Sequence, residues 1–197
     1  MQSTEHEQLS IILNRLLPLE QEEWQLLADS FERINVPAKT VLTEEGSKAQ
    51  EIFYISQGIL RLYYNTRDNE QVTAFLFSEN MFASSLESFL LQAPSNQVLE
   101  TLEPCTLLVI TKERLENLYQ NVPKTHILMR KVMEHRFVMA QQLLSSYILA
   151  SPQERYQQFA AKNPDLLQRV PQHIIASFLG VTPVSLSRIR KRLTRLD

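Results

Sequence analysis

The sequence is poor in the residues that build metal, cluster and disulfide chemistry. Its one cysteine, Cys105, excludes an internal disulfide, a cysteine-held zinc site and an iron–sulfur cluster bound by this chain alone. The four histidines, His6, His126, His135 and His173, lie far apart, and residues 7–125 contain none. None has the partner spacing of a metal motif, so no metal and no cofactor is expected. No run approaches the roughly 18 apolar residues needed to cross a bilayer. Residues 1–7 are polar and lack a basic-then-apolar signal pattern. These two features predict a cytoplasmic protein with no membrane partner. Lys and Arg are missing from the whole stretch between Asp68 and Thr111. Glycine occurs three times, at Gly46, Gly58 and Gly180, each beside a predicted turn.

At 197 residues with 44% hydrophobic content, the chain has room for one sizeable domain and a smaller one. Residues 5–31 read as helical, with Leu9, Ile12 and Leu16 on one face and Leu26, Leu27 and Phe31 continuing it after a break at Pro18. The period then changes. Short apolar runs at 40–43, 51–57, 59–65, 71–77, 96–101 and 106–111 alternate with turn residues, which predicts a β-sandwich or barrel. The turn between the fourth and third from last runs is Thr66-Arg67-Asp68-Asn69. A helical piece is predicted at 81–91, a short helix at 112–121, and a long one at 123–149.

Within the long helix, Met129, Met133, Phe137, Ala140, Leu144 and Tyr147 recur at helical spacing. A helix of this length is roughly 40 Å long, much for one domain to cover. A second copy of the same helix is the simplest partner for the stripe, and packing on its own β-domain is the other reading. Ser151-Pro152-Gln153-Glu154 then forms a capping box with proline at the first helical position, marking a hinge. The predicted division is 1–122, 123–150 and 151–197.

Residues 172–191 (QHIIASFLGVTPVSLSRIRK) read as a helix-turn-helix. Ile174, Ile175, Phe178 and Leu179 line one helix, and Ala176 is small enough for a second to cross over it. Gly180 supplies the left-handed turn residue, Val181 buries the turn, and Thr182-Pro183 is an N-cap followed by proline. Leu186, Ile189 and Leu193 form the inner stripe of the second helix. Gln172, Thr182, Pro183, Val184, Ser185, Ser187, Arg188, Arg190, Lys191 and Arg192 are left to face double-stranded DNA. Charge agrees. Residues 151–197 hold eight basic against three acidic residues, a net of +5, which leaves −7 on residues 1–150. A basic piece on an acidic body is the footprint of phosphate neutralisation, although a basic helix face can also be merely solvated.

A β-roll, then a long helix, then a C-terminal helix-turn-helix resembles the Crp–Fnr transcription regulators across nearly the whole chain. The residues that carry the resemblance are Glu45-Gly46, Phe53-Tyr54-Ile55-Ser56-Gln57-Gly58, the stretch 75–82, Glu154-Arg155-Tyr156, Pro164, Arg169-Val170-Pro171 and Leu179-Gly180-Val181-Thr182-Pro183. Ser185-Leu186-Ser187-Arg188-Ile189-Arg190-Lys191 looks most like the members from Bacteroidetes-type bacteria. The resemblance implies an α+β fold with an N-terminal jelly-roll β-barrel of the cyclic-nucleotide-binding kind, a dimerisation helix and a C-terminal DNA-binding domain. It implies a homodimer on an inverted-repeat operator, with RNA polymerase as a further partner. Arg188 aligns with the family's base-reading arginine, whereas Pro183 and Val184 stand where other members place an arginine and a glutamate.

The departures from the family are informative. Members that bind cyclic nucleotides carry a glycine-glutamate pair, then an arginine-serine some ten residues on. Here Ser84-Ser85 stand at the first pair and Ser95-Asn96 at the second. A buried phosphate would find no cation in this stretch, so cyclic AMP is not the expected effector. The effector-pocket candidates are Ser84, Ser85, Glu87, Ser95 and Asn96, with Arg61 or Arg130 reaching in from elsewhere; Glu87 reads more readily as a partly exposed helix glutamate. Four residues follow Leu193, so the family's winged hairpin is expected to be missing. Three readings stand: a regulator with an unidentified small-molecule effector, a regulator that binds DNA constitutively, and a cupin-like enzyme. The last needs histidines on its strands, and the chain is not expected to be an enzyme.

Overall fold

The computed structural model describes residues 4–68 and 70–193. Two helices, α1 (Thr4–Leu16) and α2 (Gln21–Asp29), open the chain. The break at Pro18 is bridged by Asn14, whose Oδ1 accepts from the Leu19 N–H at 3.0 Å. Eight strands follow: β1 (Glu32–Val36), β2 (Val41–Thr43), β3 (Glu51–Gln57), β4 (Leu60–Asn65), β5 (Gln71–Phe77), β6 (Phe82–Ala83), β7 (Val98–Thr101) and β8 (Cys105–Thr111). They form two antiparallel four-stranded sheets, ordered β1-β8-β3-β6 and β2-β7-β4-β5. The helix α3 (Leu86–Leu91) lies between β6 and β7.

The sheets enclose one apolar core, with Phe53, Ile55, Leu60, Leu62, Phe77, Leu99 and Leu107 inside. A second core forms on the outer face of the first sheet. There Ile52, Tyr54, Leu108 and Ile110 meet Leu9, Leu13 and Leu27, together with Leu115 and Leu118 of α4 (Lys112–Asn121) and Leu128 of α5 (Lys124–Leu149). Strands β3 and β8 are therefore buried on both faces. That is why they read as unbroken apolar runs rather than alternating ones.

Two elements differ from the sequence expectation. β1 was not among the predicted strands, because Glu32-Arg33-Ile34-Asn35-Val36 is mostly polar. It is an edge strand held by its ladder to β8 over five residue pairs. The helix predicted at 81–91 begins only at Leu86. Phe82 and Ala83 instead pair with Tyr54 and Phe53, and a long-range ladder overrides the local helical pattern. The turn 66–69 joins β4 to β5 as expected, and its last residue, Asn69, lies outside the described residues, as do 194–197, where no winged hairpin was expected.

Four helices complete the chain: α6 (Pro152–Lys162), α7 (Pro164–Arg169), α8 (Gln172–Phe178) and α9 (Pro183–Leu193). Their core is continuous with the β-roll. Phe159, Leu166, Val170, Ile174, Ile175 and Leu186 pack with Ile59 and Leu76 of the strands and turns. Arg169 fixes this junction. It reaches both carboxylate oxygens of Glu79, at 2.6 and 3.1 Å, and also pairs with Glu103. Glu79 accepts the Gly58 N–H as well, at 2.9 Å. Burial alone raises the Glu79 carboxyl, but the Arg169 and Gly58 hydrogen bonds outweigh it and hold the group below the usual carboxylate range.

Gly58 lies in the turn between β3 and β4. Its φ is +108°, and a Cβ there would stand 2.4 Å from Cys105 Sγ and 3.0 Å from its Cα. Gly58→Ala should cost roughly 1–3 kcal/mol from strain and overpacking. Urea unfolding checks this, and an unchanged midpoint would count against the packing. The Glu79 site predicts a pH effect. A carboxyl with a lowered folded pKa contributes stability that is present above its unfolded pKa and is lost as pH falls through the folded value. The wild-type thermal midpoint should therefore fall more steeply on acidification than that of Glu79→Gln. Parallel curves would show that this junction does not titrate.

Candidate nucleic-acid interface and effector region

The α8–α9 pair is built by local rules. The Gly180 φ is +64°, and Val181 N–H closes the turn onto Ala176 O at 3.0 Å. Ala176 is fully buried, with Leu186 of α9 equally enclosed. Thr182 Oγ1 accepts the Ser185 N–H at 3.1 Å, capping α9. Of the residues predicted to face DNA, Gln172, Thr182, Pro183, Val184, Ser187, Arg188, Arg190, Lys191 and Arg192 are exposed, and Ser185 is half-buried beside Thr182. Arg192 also approaches Gln153 of α6 at 3.5 Å. The last turn of α9 carries Arg190, Lys191 and Arg192, which complement the negative end of the helix dipole.

Two anchors hold this pair in place. Ser177 of α8 docks on the edge of β5: its Oγ accepts the Thr73 N–H at 2.9 Å and donates to Gln71 O at 3.0 Å. Tyr147 of α5 donates to Phe178 O. A Cβ at position 180 would lie 2.8 Å from its ring, so glycine is required there twice over. Arg155 lies over that ring at 5.1 Å and donates to Leu179 O and Ala150 O.

The predicted stripe of α5 divides between different surfaces. Met129 packs into the helical core of the β-roll, Met133 lines a cavity, and Tyr147 serves the C-terminal helices. Ala140 is half-buried. Phe137 and Leu144 are 63% and 54% exposed, and Ile148, which widens the predicted stripe, is 70% exposed. The outward row is thus Phe137, Gln141, Leu144 and Ile148, about 80° round the helix from Tyr147 at 100° per residue.

The effector candidates are only partly brought together. Ser85 and Ser95 share a hydrogen bond at 2.8 Å, Ser85 donates to Gln97 at 3.2 Å, and Gln97 donates to Tyr64 Oη at 2.6 Å. At the positions where the resemblance would place a phosphate, this chain holds a run of neutral hydrogen bonds. Ser84 donates to Glu51 O at 2.9 Å. Glu87 and Asn96 face solvent. The two arginines considered as suppliers of a cation are committed elsewhere. Arg61 is buried in a pair with Glu100 at 2.8 Å and bonds Gln71. Arg130 pairs with Glu134 one turn on, at 2.6 Å.

A separate buried cation is Arg136, which the sequence reading missed. It comes from α5 and lies over the rings of Phe75 and Phe77, 3.6 and 4.3 Å from their centroids. Burial pushes its pKa down to about 10. A break in the α5 stripe, an arginine on the inward face between Val132 and Met139, was the available signal.

Comparison with known proteins places this geometry. Residues 33–122 match the family model described as the cyclic nucleotide-binding domain. No curated protein matches the chain in sequence. Among solved structures, the c-di-GMP responsive global regulator CLP of Xanthomonas campestris is similar at 17% identity and a TM-score of 0.72, over 89% of this chain and 92% of that one. FixK2 of Bradyrhizobium japonicum is similar at 13% identity and a TM-score of 0.72, over 84% and 85%. The catabolite activator protein of Thermus thermophilus is similar at 20% identity and a TM-score of 0.57, over 93% and 87%. Among the described residues, no helix is long and apolar enough to cross a membrane. Residues 33–122 thus match the cyclic nucleotide-binding domain, and the chain as a whole is similar in fold to solved regulators, one of them described as a putative transcriptional regulator of the crp/fnr family.

Proposed function

We propose that this protein is a homodimeric transcription regulator of the Crp–Fnr type. Its division is 1–122 for effector sensing, 123–150 for dimerisation and 151–197 for DNA binding. The observation that carries the reading is α9: a capped helix whose polar face, from Thr182 to Arg192, is exposed, on the basic end of an acidic chain. The regulator CLP, whose overall fold it shares, is described as acting on gene expression, which supports a regulator rather than an enzyme. The dimer would present two copies of α9 to inverted half-sites about one helical turn apart, and RNA polymerase is the expected protein partner. The neutral Ser85–Ser95–Gln97 chain favours an effector other than cyclic AMP. A regulator that binds DNA without any effector is the second reading, and that same closed hydrogen-bond chain is what favours it.

The dimer is expected through the outward row of α5. Phe137→Asp with Leu144→Asp would place charges in that seam, at several kcal/mol each. Both side chains are exposed in the protomer, so the protomer should stay folded. Sedimentation should show a folded monomer for the double variant and a dimer for the wild type. A wild type that is monomeric at micromolar concentration would sink the proposal.

On DNA, Arg188 is expected to reach a guanine edge. Pro183 and Val184 offer only apolar contact, as to a thymine methyl, and Ser185 and Ser187 either bond or face water. Arg188→Ala should cost roughly 1–3 kcal/mol and relax one base pair per half-site. Lys191→Ala should weaken all sequences alike and flatten the salt dependence. Selection from random DNA tests both, with cyclic AMP as an added arm that should leave affinity unchanged. Unaltered base preference in Arg188→Ala would overturn the assignment of that residue.

A further inference from the structure

A cavity of about 250 Å³ lies between α1, the stretch running from the end of β5 through β6, and α5. Its walls are apolar, formed chiefly by Leu16, Phe77, Met81, Phe82, Met133 and Met139. Three of these are methionines, which adapt to the outline of a guest. The charged and titratable side chains that line it are Lys131, His135 and Arg136, all from α5, and no carboxylate does so among the described residues. Nη1 of Arg136 is buried and meets no acceptor among the described residues. Its guanidinium rests on Phe75 and Phe77, which screen one face but accept no conventional hydrogen bond. Even with burial lowering its pKa to about 10, the group stays charged at neutral pH. A buried cation with an unmade hydrogen bond is costly, and an anion on the guanidinium would relieve it. Few charges converging on an apolar chamber is the usual composition of a small-molecule site.

We propose that this cavity binds an organic carboxylate with an apolar body. Its headgroup meets the Arg136 guanidinium, which turns to bring Nη1, closed off in this conformation, onto the carboxylate, and its hydrocarbon or aromatic part lies among Met81, Met133 and Met139. The chamber selects against its alternatives. A nucleotide would put ribose and base against methionine and phenylalanine, where Asn80 and Ser84 are the neutral polar side chains available, and the Ser84 hydroxyl already donates to Glu51 O. An inorganic anion would leave the apolar walls unused. The consequence for DNA rests on the regulator reading: α5 carries the cavity, the outward row and the Tyr147 anchor on one rigid element, so a guest that shifts α5 acts on all three.

Calorimetry on the full chain tests the site with 4-phenylbutyrate and 4-phenylbutanol, which share a body and differ in charge. The carboxylate should bind, and the alcohol should bind at least tenfold more weakly. Arg136→Met should weaken the carboxylate at least tenfold and leave the alcohol unchanged, which also reports a folded chamber. Met81→Trp, which fills the chamber from the opposite wall and leaves the arginine intact, should weaken both ligands. Equal affinity for the two ligands, unchanged carboxylate binding in Arg136→Met, unchanged binding in Met81→Trp, or no binding of 4-phenylbutyrate at millimolar concentration would each overturn the proposal. A DNA titration with and without the carboxylate separates the two readings. A protein that binds the carboxylate as described but no DNA keeps the site and overturns the regulator reading.

Discussion

One helix has to satisfy three surfaces at once, and the rest of the structure follows from how it does so. At 26 residues, α5 is about 39 Å long. Its first turns bury Thr125 and Leu128 against the β-roll. Its middle presents Arg136 and the methionines inward. Its last turns give Tyr147 to the C-terminal helices and leave Leu144, Ile148 and Leu149 outside. No single apolar face runs along it, because its partners lie at different angles. A rigid rod touching the β-roll, the cavity and the C-terminal helices is a mechanical link by construction. A shift at the Arg136 level has to appear at Tyr147 unless the helix bends.

Polar groups inside this protein are almost all answered, and the manner of answering distinguishes it from a cyclic-nucleotide receptor. Arg61 is neutralised by Glu100 and held by Gln71. Ser85, Ser95, Gln97 and Tyr64 bond to one another. A site already saturated with neutral partners gains little from a phosphate, which must first displace them and then lacks a cation. Arg136 is the contrast, a buried charge whose protein surroundings leave one N–H unanswered.

The C-terminal helices do not hang from a flexible hinge in this conformation. Their core borrows Ile59 and Leu76 from the β-roll, Arg169 bridges two carboxylates across the junction, and Ser177 completes a backbone position of β5. These contacts leave the polar face of α9 outward. The joining side chains are a half-exposed ion pair, single hydrogen bonds and a modest apolar patch. Each is worth on the order of 1 kcal/mol, so the docking is firm enough to set a geometry and weak enough to change it.

The sequence by itself determined the order of the three parts (strands, long helix, C-terminal helices), the two helices and turn at 172–193, and the lack of a Lys or Arg between 68 and 111. These are local facts: helical spacing, a Thr-Pro start, a glycine at a left-handed turn, and the residue types in one segment. Other features were decided only by the folded chain, because they depend on residues far apart in sequence. β1 exists through its ladder to β8, and β6 through its pairing with β3. The α5 stripe, which periodicity reads as one face, is divided because the β-roll, the cavity and Phe178 claim different parts of it. Arg136 lies 59 residues beyond Phe77, and no spacing rule connects them. Only packing brings its guanidinium over that ring and leaves it in need of an anion.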